Sequence, residues 1–336
     1  MSARPPGAVA RLGRPGEFVW VWIALTLLFA VSAVVAPSTV QVSSLRLLVP
    51  YASVLAIAAV GQSLVIRQRG IDLSVPGVMS LSGVAVAKLT ADHGAHLVVA
   101  VLITCVLMAG VGVVNGLLVT QLGVSPLVST LAVNALLLGA VQSYSRDIPL
   151  AAPHQLSHLA LGRVLGIPNP AFVATGVVAV VGVAVGRSVV GRRFVAVGES
   201  AATAQVSGIR TTVHRIAAYA VAAVCYALAG ILLAGHVQTA VPDAGNSYLL
   251  PVIAAVVVGG TPFTGGRGSA VATAVAAVFL TQLLQVVLAL GAPSSTQLIV
   301  QSIAIAAATG LRYLPWARLR VPGRPRLAPR GMAELN

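Results

Sequence analysis

Long apolar runs separated by short polar segments dominate the chain. A helix needs about 20 apolar residues to cross the hydrocarbon core of a bilayer, and most of these runs approach that length. Ten runs can be drawn, at residues 18–36, 47–66, 71–89, 96–120, 126–144, 171–186, 216–235, 249–260, 269–290 and 296–311. The pattern predicts an all-α fold, a polytopic transmembrane helix bundle of about ten membrane passes.

Two boundaries between runs predict broken helices. Between the second and third runs, Gly70, Pro76 and Gly77 interrupt the apolar sequence around Asp72. The eighth run has about 12 residues and ends at the glycine-rich segment 259–268. A helix of that length is too short to cross the bilayer alone. Backbone groups freed by such breaks must find partners inside the protein or in a polar cavity.

Composition indicates that most of the surface faces lipid. Of the 336 residues, 57% are hydrophobic and 8% are charged, whereas a soluble domain usually carries about 25% charged residues. We divide the chain into a basic tail at 1–17, a transmembrane domain at 18–311 that includes a polar loop at 187–215, and a basic, proline-rich tail at 312–336.

The distribution of basic residues predicts the orientation. With ten passes, 17 of the 21 Lys and Arg residues fall on the side of the N-terminus and 4 on the other side. Cytoplasmic loops of membrane proteins are enriched in Lys and Arg. Both termini are therefore predicted to lie in the cytoplasm, in a chain that spans the membrane many times.

A net charge of +14 can also indicate a nucleic-acid partner. Here the basic residues lie in tails and loops, and aromatic residues make up only 4% of the chain, so no base-stacking surface is indicated. The segment 259–268 is glycine-rich but lacks the Gly-Lys-Ser/Thr ending of a nucleotide loop. We therefore expect membrane lipid rather than nucleic acid as a partner, and no cofactor in this chain.

No catalytic constellation is visible, and we expect the chain not to be an enzyme. A membrane-embedded enzyme would need a nucleophile with a base, or metal ligands, at membrane depth. His154 and His158 are four residues apart but lack a third ligand nearby. Cys105 and Cys225 lie inside apolar runs, as small buried residues do.

Uncharged polar side chains inside the apolar runs, with one acidic group beside them, are the candidates for a translocation pathway or for the helix break. They are Asp72, Ser74, Asn115, Asn134 and Gln282. Asp72 can cap the start of the third helix by accepting backbone N–H bonds, or it can contact solute or gate the path. For each amide, hydrogen bonding between helices is the alternative.

The polar loop 187–215 predicts a short helix that acts as a docking element. Ser200 is a good N-cap and Gly208 a good C-terminal stop. A helix this short is not stable alone in water, which makes sense if it docks into a groove of a partner. The residues assigned to this helix and its flanks are Gly198, Glu199, Ser200, Ala202, Ser207 and Gly208.

Small residues are abundant, with 33 glycines in the chain. Two GxxxG pairs, 112–116 and 182–186, are candidates for close helix packing in lipid. The alternative is that each pair merely reflects how common glycine is in this chain.

Four segments, in order along the chain, resemble the pattern of the ribose/xylose/galactose-type permeases of ATP-binding-cassette importers. They are AVGQSLVI from Ala59 with GIDLSV from Gly70; NGLLV from Asn115 with SPLVSTL from Ser125; AVG from Ala196 with AA at 201–202 and SGI at 207–209; and IAAVVVGGT from Ile253 with GGRGS from Gly265. Together with the topology, they extend from about residue 50 to 311. The chain departs from the pattern at 67–69, Pro76, Ala132 and Glu199.

The resemblance implies a permease subunit of the bacterial plasma membrane that translocates a small polar solute, a monosaccharide, by alternating access. It implies three kinds of partner: a second permease subunit, identical or different; cytoplasmic ATP-binding subunits that grip the 200–208 helix and use the ATP; and an extracytoplasmic solute-binding protein. Branched-chain amino-acid permeases are distant relatives, so an amino-acid solute stays open. An ion-coupled secondary transporter is the other alternative, and Asp72 is its one candidate carboxylate.

Overall fold

The computed structural model describes residues 18–293 and, beyond them, residues 296, 299, 300, 302, 303 and 306. Within this part of the chain the regular structure is almost entirely helical, so the all-α prediction is confirmed. The α-helices are α1 Val19–Val35, α2 Val42–Arg67, α3 Val75–Ala91, α4 Leu97–Thr120, α5 Pro126–Ser145, α6 His154–Leu161, α7 Asn169–Arg187, α8 Val189–Glu199, α9 Ala201–Val206, α10 Thr211–Val237, α11 Leu249–Val258 and α12 Ala270–Ala289. Both tails and most of the tenth apolar run lie outside the described residues.

Among the described residues, six helices are long and apolar enough to cross a bilayer, namely α2, α4, α5, α7, α10 and α12. Helices α1 and α3 have 17 residues each, at the lower end of the spanning range. Helix α11 has 10 residues and follows a 3₁₀ turn, Ala244–Tyr248, which confirms the short eighth run. Each of the first nine predicted runs therefore corresponds to a helix in a multi-pass membrane protein.

Helices α2 and α10 form the centre of the bundle. In their most apolar windows, 89% of α2 and 67% of α10 are buried, against 17–28% for α4, α5 and α7. Helix α10 packs along α4, α2 and α3, and α12 packs along α2 and α1. The outer helices leave large apolar side chains exposed, such as Val106 and Leu136, as expected where the surrounding solvent is hydrocarbon.

Helices α4 and α10 approach closely at the first GxxxG pair. A Cβ atom on Gly112 would overlap the carbonyl oxygen of Tyr219, and one on Gly116 would lie 2.7 Å from Ile216 Cα. A larger side chain does not fit at either position, so this pair is a true helix contact. The second pair, 182–186, has no described atom within 4 Å of a Cβ built on either glycine.

The loops divide between two ends of the bundle. One end carries segments 68–74, 121–125, 188–210 and 259–269, including α8 and α9, and is called the α9 end below. The opposite end carries the antiparallel pair of β1 (Leu150–Ala151) and β4 (Thr239–Ala240), and is called the β end. Helix α10 runs from one end to the other.

The predicted external loop between α5 and α7 holds more structure than its polar sequence indicated. It contributes β1, helix α6 and a second pair of strands, β2 (Arg163–Val164) and β3 (Ile167–Pro168). Helix α6 packs on α10, where a Cβ on Gly235 would lie 2.8 Å from Leu156 Cγ. The His154 and His158 rings stack with centroids 6.5 Å apart, but the described residues contain no group of three potential metal ligands.

Candidate functional site

The helix break between α2 and α3 is a non-helical segment, 68–74, enclosed by other helices. Helix α2 ends at Arg67, and Arg69 adopts a left-handed conformation with φ of 62°. A Cβ on Gly70 would overlap the Tyr219 hydroxyl, so a larger residue fits there only if the tyrosine side chain moves. Helix α3 begins at Val75, four residues later than the third apolar run begins, because the residues before it form a turn.

The carboxylate of Asp72 forms that turn. Its Oδ1 accepts hydrogen bonds from the Ser74 backbone N–H at 2.8 Å and from the Ser74 hydroxyl at 2.6 Å. This is the Asx-turn arrangement, in which a side chain bonds to the backbone two residues ahead. Asp72 is fully buried, and it bonds the N-cap residue of α3 rather than an amide within the helix.

Side chains from two other helices complete the break. Asn115 of α4 donates from Nδ2 to the Ser74 hydroxyl at 3.1 Å. Asn134 of α5 accepts the Gly77 N–H at 2.8 Å, and Thr130 of α5 accepts the Leu73 N–H at 2.9 Å. Amides at the start of a helix have no partner within it, so α5 supplies the acceptors that α3 and its preceding segment lack.

Two acceptor atoms around the Asp72 turn have no hydrogen-bond partner among the described residues. They are Asp72 Oδ2 and Asn115 Oδ1, and both are buried. Buried polar atoms in folded proteins are nearly always bonded, so an unpartnered acceptor calls for an explanation. The backbone of the break is therefore held by hydrogen bonds, while Asp72 Oδ2 and Asn115 Oδ1 can still accept hydrogen bonds from another molecule.

Gln282 lies apart from the other four predicted residues. It is buried in α12, where its Nε2 donates to Ser32 Oγ of α1 at 3.2 Å and to Thr39 Oγ1 at 3.3 Å. Its neighbour on the same face, Gln285, donates to the Ser44 carbonyl at 3.3 Å. These contacts join regular helices and a turn, as in the alternative considered for each amide.

The short helix expected between Ser200 and Gly208 is present as α9. Ser200 Oγ accepts the Thr203 N–H at 3.3 Å, which is an N-cap bond. At the other end, the Ile209 N–H bonds to the Ala204 carbonyl at 3.0 Å, and Gly208 has φ of 78°. This left-handed glycine ends the helix as predicted.

Most of α9 is exposed. Ala202, Ser207 and Gly208 are exposed, Val206 is 91% exposed, and Ala204 alone in the helix is buried. The described part of the chain therefore leaves most of the surface of α9 uncovered.

The preceding helix, α8, was not expected as a separate element. Ser188 caps it by accepting the Gly191 N–H at 2.8 Å. Its C-terminus packs tightly: a Cβ on Gly198 would overlap the Arg67 carbonyl oxygen and lie 3.0 Å from Gly266 N. Gly198 thus sits where α8, the end of α2 and the glycine-rich segment meet.

Residues 67–69, which depart from the family pattern, hold this junction together; we call them the 67–69 clasp. Gln68 Nε2 donates to the Phe194 carbonyl at 2.8 Å. Arg69 donates to the Gly198 carbonyl at 3.1 Å and also to the Glu199 carbonyl. Cationic side chains suit the last carbonyls of a helix, where the helix dipole is negative.

Arg67 extends the clasp to the glycine-rich segment. Its Nε donates to the Gly266 carbonyl at 3.3 Å, its own carbonyl accepts the Gly266 N–H at 2.8 Å, and its guanidinium lies 5.7 Å from the centre of the Phe194 ring. From the sequence, Arg67 and Arg69 were visible only as departures from the family pattern. Their position at the end of a buried apolar run was the signal that they had partners inside the protein.

Comparison with known proteins identifies the family. A profile described as the permease component of branched-chain amino acid transport systems matches residues 44–309, a stretch that includes the helix break, the clasp and α9. The chain belongs to this permease family. The family-level resemblance drawn from the four sequence segments is therefore confirmed.

Two similar proteins are named as sugar import permeases, and a third is named as a probable permease of an ABC transporter. The ribose import permease protein RbsC of Escherichia coli strain K12 is 32% identical over 288 residues, 84% of this chain and 89% of RbsC. The galactose/methyl galactoside import permease protein MglC of the same strain is 29% identical over 89% of this chain and 94% of MglC. The probable ABC transporter permease protein y4mJ of Sinorhizobium fredii is 34% identical over 75% of each chain. No solved structure matches.

Proposed function

We propose that this chain is the membrane-spanning permease subunit of an ATP-binding-cassette importer, and that its solute is a monosaccharide. The observation that carries the proposal is the 32% identity with the ribose import permease over 84% of the chain. The similarity to a galactose/methyl galactoside permease supports the same class of solute. In this account the chain carries out no bond chemistry and holds no cofactor, and partner subunits use the ATP.

The charge distribution supports a cytoplasmic α9 end. Of the twelve Lys and Arg residues among the described positions, eight lie in the segments at this end or in the helix turns that adjoin them, and four lie at the β end. The bias follows the positive-inside rule. In the bacterial plasma membrane, ATP-binding subunits would then contact α9, a second permease subunit would complete the path, and a solute-binding protein would deliver solute at the β end.

The 67–69 clasp offers a mechanical connection through which motion driven by ATP can reach the translocation path. It bonds Phe194 and Gly198 of α8, the helix just before α9, to the two residues that follow α2. Gln68 and Arg69 of the clasp are also the first two residues of the helix break, segment 68–74. A displacement of α9 by an ATP-binding subunit would therefore move segment 68–74 and the start of α3, because element-terminal residues absorb such changes most readily.

The helix break supplies chemistry suited to an uncharged, hydroxyl-rich solute. Asp72 Oδ2 and Asn115 Oδ1 are acceptors without partners among the described residues, and sugar hydroxyls are donors. We assign Asp72 first to the turn that shapes the break, and its free oxygen, with that of Asn115, to solute hydroxyls when the break opens. Gln282 is assigned to helix packing.

The test is uptake by vesicles that contain the chain together with the ATP-binding subunits co-purified from its native membrane, with its solute-binding protein supplied on the side of the β end. We expect uptake of labelled ribose or galactose that requires ATP and is unaffected by a proton uncoupler. Uptake that persists without ATP and collapses with the uncoupler would establish the ion-coupled alternative. Uptake of leucine, with no sugar transported, would support the second candidate, an amino-acid permease, which the description of the matching family favours.

A further inference from the structure

A cavity of about 240 Å³ lies at the α9 end, beside the helix break. It is bounded by the end of α2, the loop between α4 and α5, and the first turns of α10. Its polar wall includes Gln68, Arg69, Ser125, Arg215 and Tyr219, and no acidic side chain is among its lining residues. Gln68 and Arg69 of the clasp form part of its wall, whereas Asp72 and Asn115, to which the transport proposal assigns the solute, are not among the lining residues.

Two guanidinium groups give the cavity its charge. Arg69 uses two of its nitrogens on the carbonyls of α8. Arg215, in the first turns of α10, has a buried Nε with no hydrogen-bond partner among the described residues. An arginine enters a partly buried site at the expense of its hydration, and its fork of donors matches the oxygens of a phosphate group.

The hydroxyl of Tyr219 is an independent sign of a missing ligand. The side chain is only 2% exposed and lines the cavity, yet its hydroxyl has no partner among the described residues. On the same wall, Gln68 Oε1 is a buried acceptor without a partner in the described part of the chain. A ligand that presents both an anionic oxygen and a hydroxyl would satisfy both groups.

Helix α5 adds its positive end. It has 20 residues, and its N-cap Ser125 and first residue Pro126 line the cavity. The Ser125 side chain makes no capping bond. The N–H groups of the first turn are thus not capped by this side chain, and the helix dipole favours an anion at this position.

We propose that this cavity is a binding site for a phosphate group, of the kind carried by the headgroup of an anionic phospholipid such as phosphatidylglycerol. Exposed apolar side chains adjoin the lining residues in sequence: Leu122 is 69% exposed, Leu127 48% and Val213 56%. These side chains can pack against the acyl chains of a lipid, whereas a free phosphate ion would make no use of them. Placement in the cytoplasmic leaflet rests on the proposed orientation, whereas the phosphate chemistry does not.

Lipid binding by the full chain in neutral detergent tests the site without any partner subunit or solute, so a failure here is distinct from a failure of the transport proposal. The probes are phosphatidylglycerol, phosphatidylcholine as the zwitterionic comparison, and inorganic phosphate. Retained lipid is measured by native mass spectrometry, and phosphate by titration calorimetry. The variants are Arg215→Gln, the near-isosteric Tyr219→Phe, and Arg210→Gln as the control, an exposed arginine that is not among the lining residues.

We expect phosphatidylglycerol to bind more tightly than phosphatidylcholine. Arg215→Gln should weaken binding at least about tenfold, because a charge-assisted hydrogen bond is lost, and Tyr219→Phe should weaken it severalfold, with Arg210→Gln unchanged. Binding of inorganic phosphate that Arg215→Gln abolishes, with no lipid preference, would support the same site with a free anion as its source. Equal binding of every probe by all variants, or no binding by the wild type, would overturn the proposal.

Discussion

The helix break and helix α9 are the two regions on which the proposed transport depends, and they are built in opposite ways. At the break, Asp72, Asn115 and Asn134 are buried, and their bonds join three helices. In α9, the capping bonds of Ser200 and Gly208 are local, and most side chains are exposed. Changes at the break should therefore affect folding and transport together, whereas changes on α9 should affect transport alone.

The largest effect is expected for Asp72→Ala. The substitution leaves the Ser74 N–H and hydroxyl without their acceptor in a buried site, which should lower the free energy of unfolding by about 2–3 kcal/mol and abolish uptake. Thermal unfolding in detergent and vesicle uptake measure the two effects. Unchanged stability in this variant would contradict the turn that the carboxylate is seen to form.

Asp72→Asn is the matched variant that separates shape from charge. The amide keeps an acceptor oxygen at the turn but carries no charge, so most of the stability should remain. Uptake near the wild-type level would mean that Asp72 acts through the turn. A stable protein without uptake would show instead that the carboxylate itself is needed in the path.

Bulk on α9 should remove uptake without a loss of stability. Ala202→Trp adds a large side chain to an exposed position, where it obstructs a partner rather than the fold. ATP hydrolysis by the assembled transporter should continue while uptake falls at least about tenfold, a transition-state change of about 1.4 kcal/mol. Ala140→Trp, at an exposed position of α5, is the control. Normal uptake by Ala202→Trp would exclude α9 as the coupling element.

Gly208→Ala changes the backbone at the end of α9 rather than its exposed surface. No described atom lies within 4 Å of the new Cβ, so the substitution acts only through the left-handed φ of 78°. That backbone conformation costs alanine about 1–2 kcal/mol. We expect partial uncoupling of ATP hydrolysis from uptake, smaller than that of Ala202→Trp. A full loss of insertion into the membrane would argue that the strain spreads beyond α9.

Arg69→Gln should give an intermediate effect, because it weakens the connection between the two regions and leaves each one intact. We expect severalfold lower uptake per ATP hydrolysed and a small change in thermal stability. Arg210→Gln removes the same charge from the same end of the bundle and should behave as wild type. Equal coupling ratios in the two variants would contradict the proposed role of the 67–69 clasp.

The smallest effect is expected for Gln282→Leu. Hydrogen bonds between transmembrane helices contribute about 0.6 kcal/mol on average, and the Gln282 bonds join α12 to Ser32 and Thr39 rather than to residues of the break. Uptake should be retained, with a barely measurable change in unfolding. A loss of transport in this variant would instead support the assignment of Gln282 to the translocation pathway that was predicted from the sequence.

Local chemistry explains which features the sequence predicted. Ser200 and Gly208 act within a few residues of their own positions, so capping preferences were enough to find α9. Gly70 likewise interrupts a helix by its own geometry, and Pro76 lies in the first turn of α3, where proline is tolerated. In the same way, the short eighth run was visible from its length alone.

The grouping of side chains was harder to predict because it depends on contacts between distant segments. Asn115 and Asn134 bond to residues 41 and 57 positions away, and nothing in their own runs distinguishes them from Gln282. The clasp depends on the left-handed backbone of Arg69 and on the approach of α8. Neither can be inferred from the two arginines themselves.

Helix α10 gives the molecule one further property. Its 27 residues extend roughly 40 Å from the end of α9 to strand β4, and close contacts at Gly112 and Gly116 hold it against α4. Coupling free energies between two sites are reciprocal. If nucleotide state at the α9 end alters affinity for the solute-binding protein at the β end, then docking of that protein must alter nucleotide affinity by the same factor.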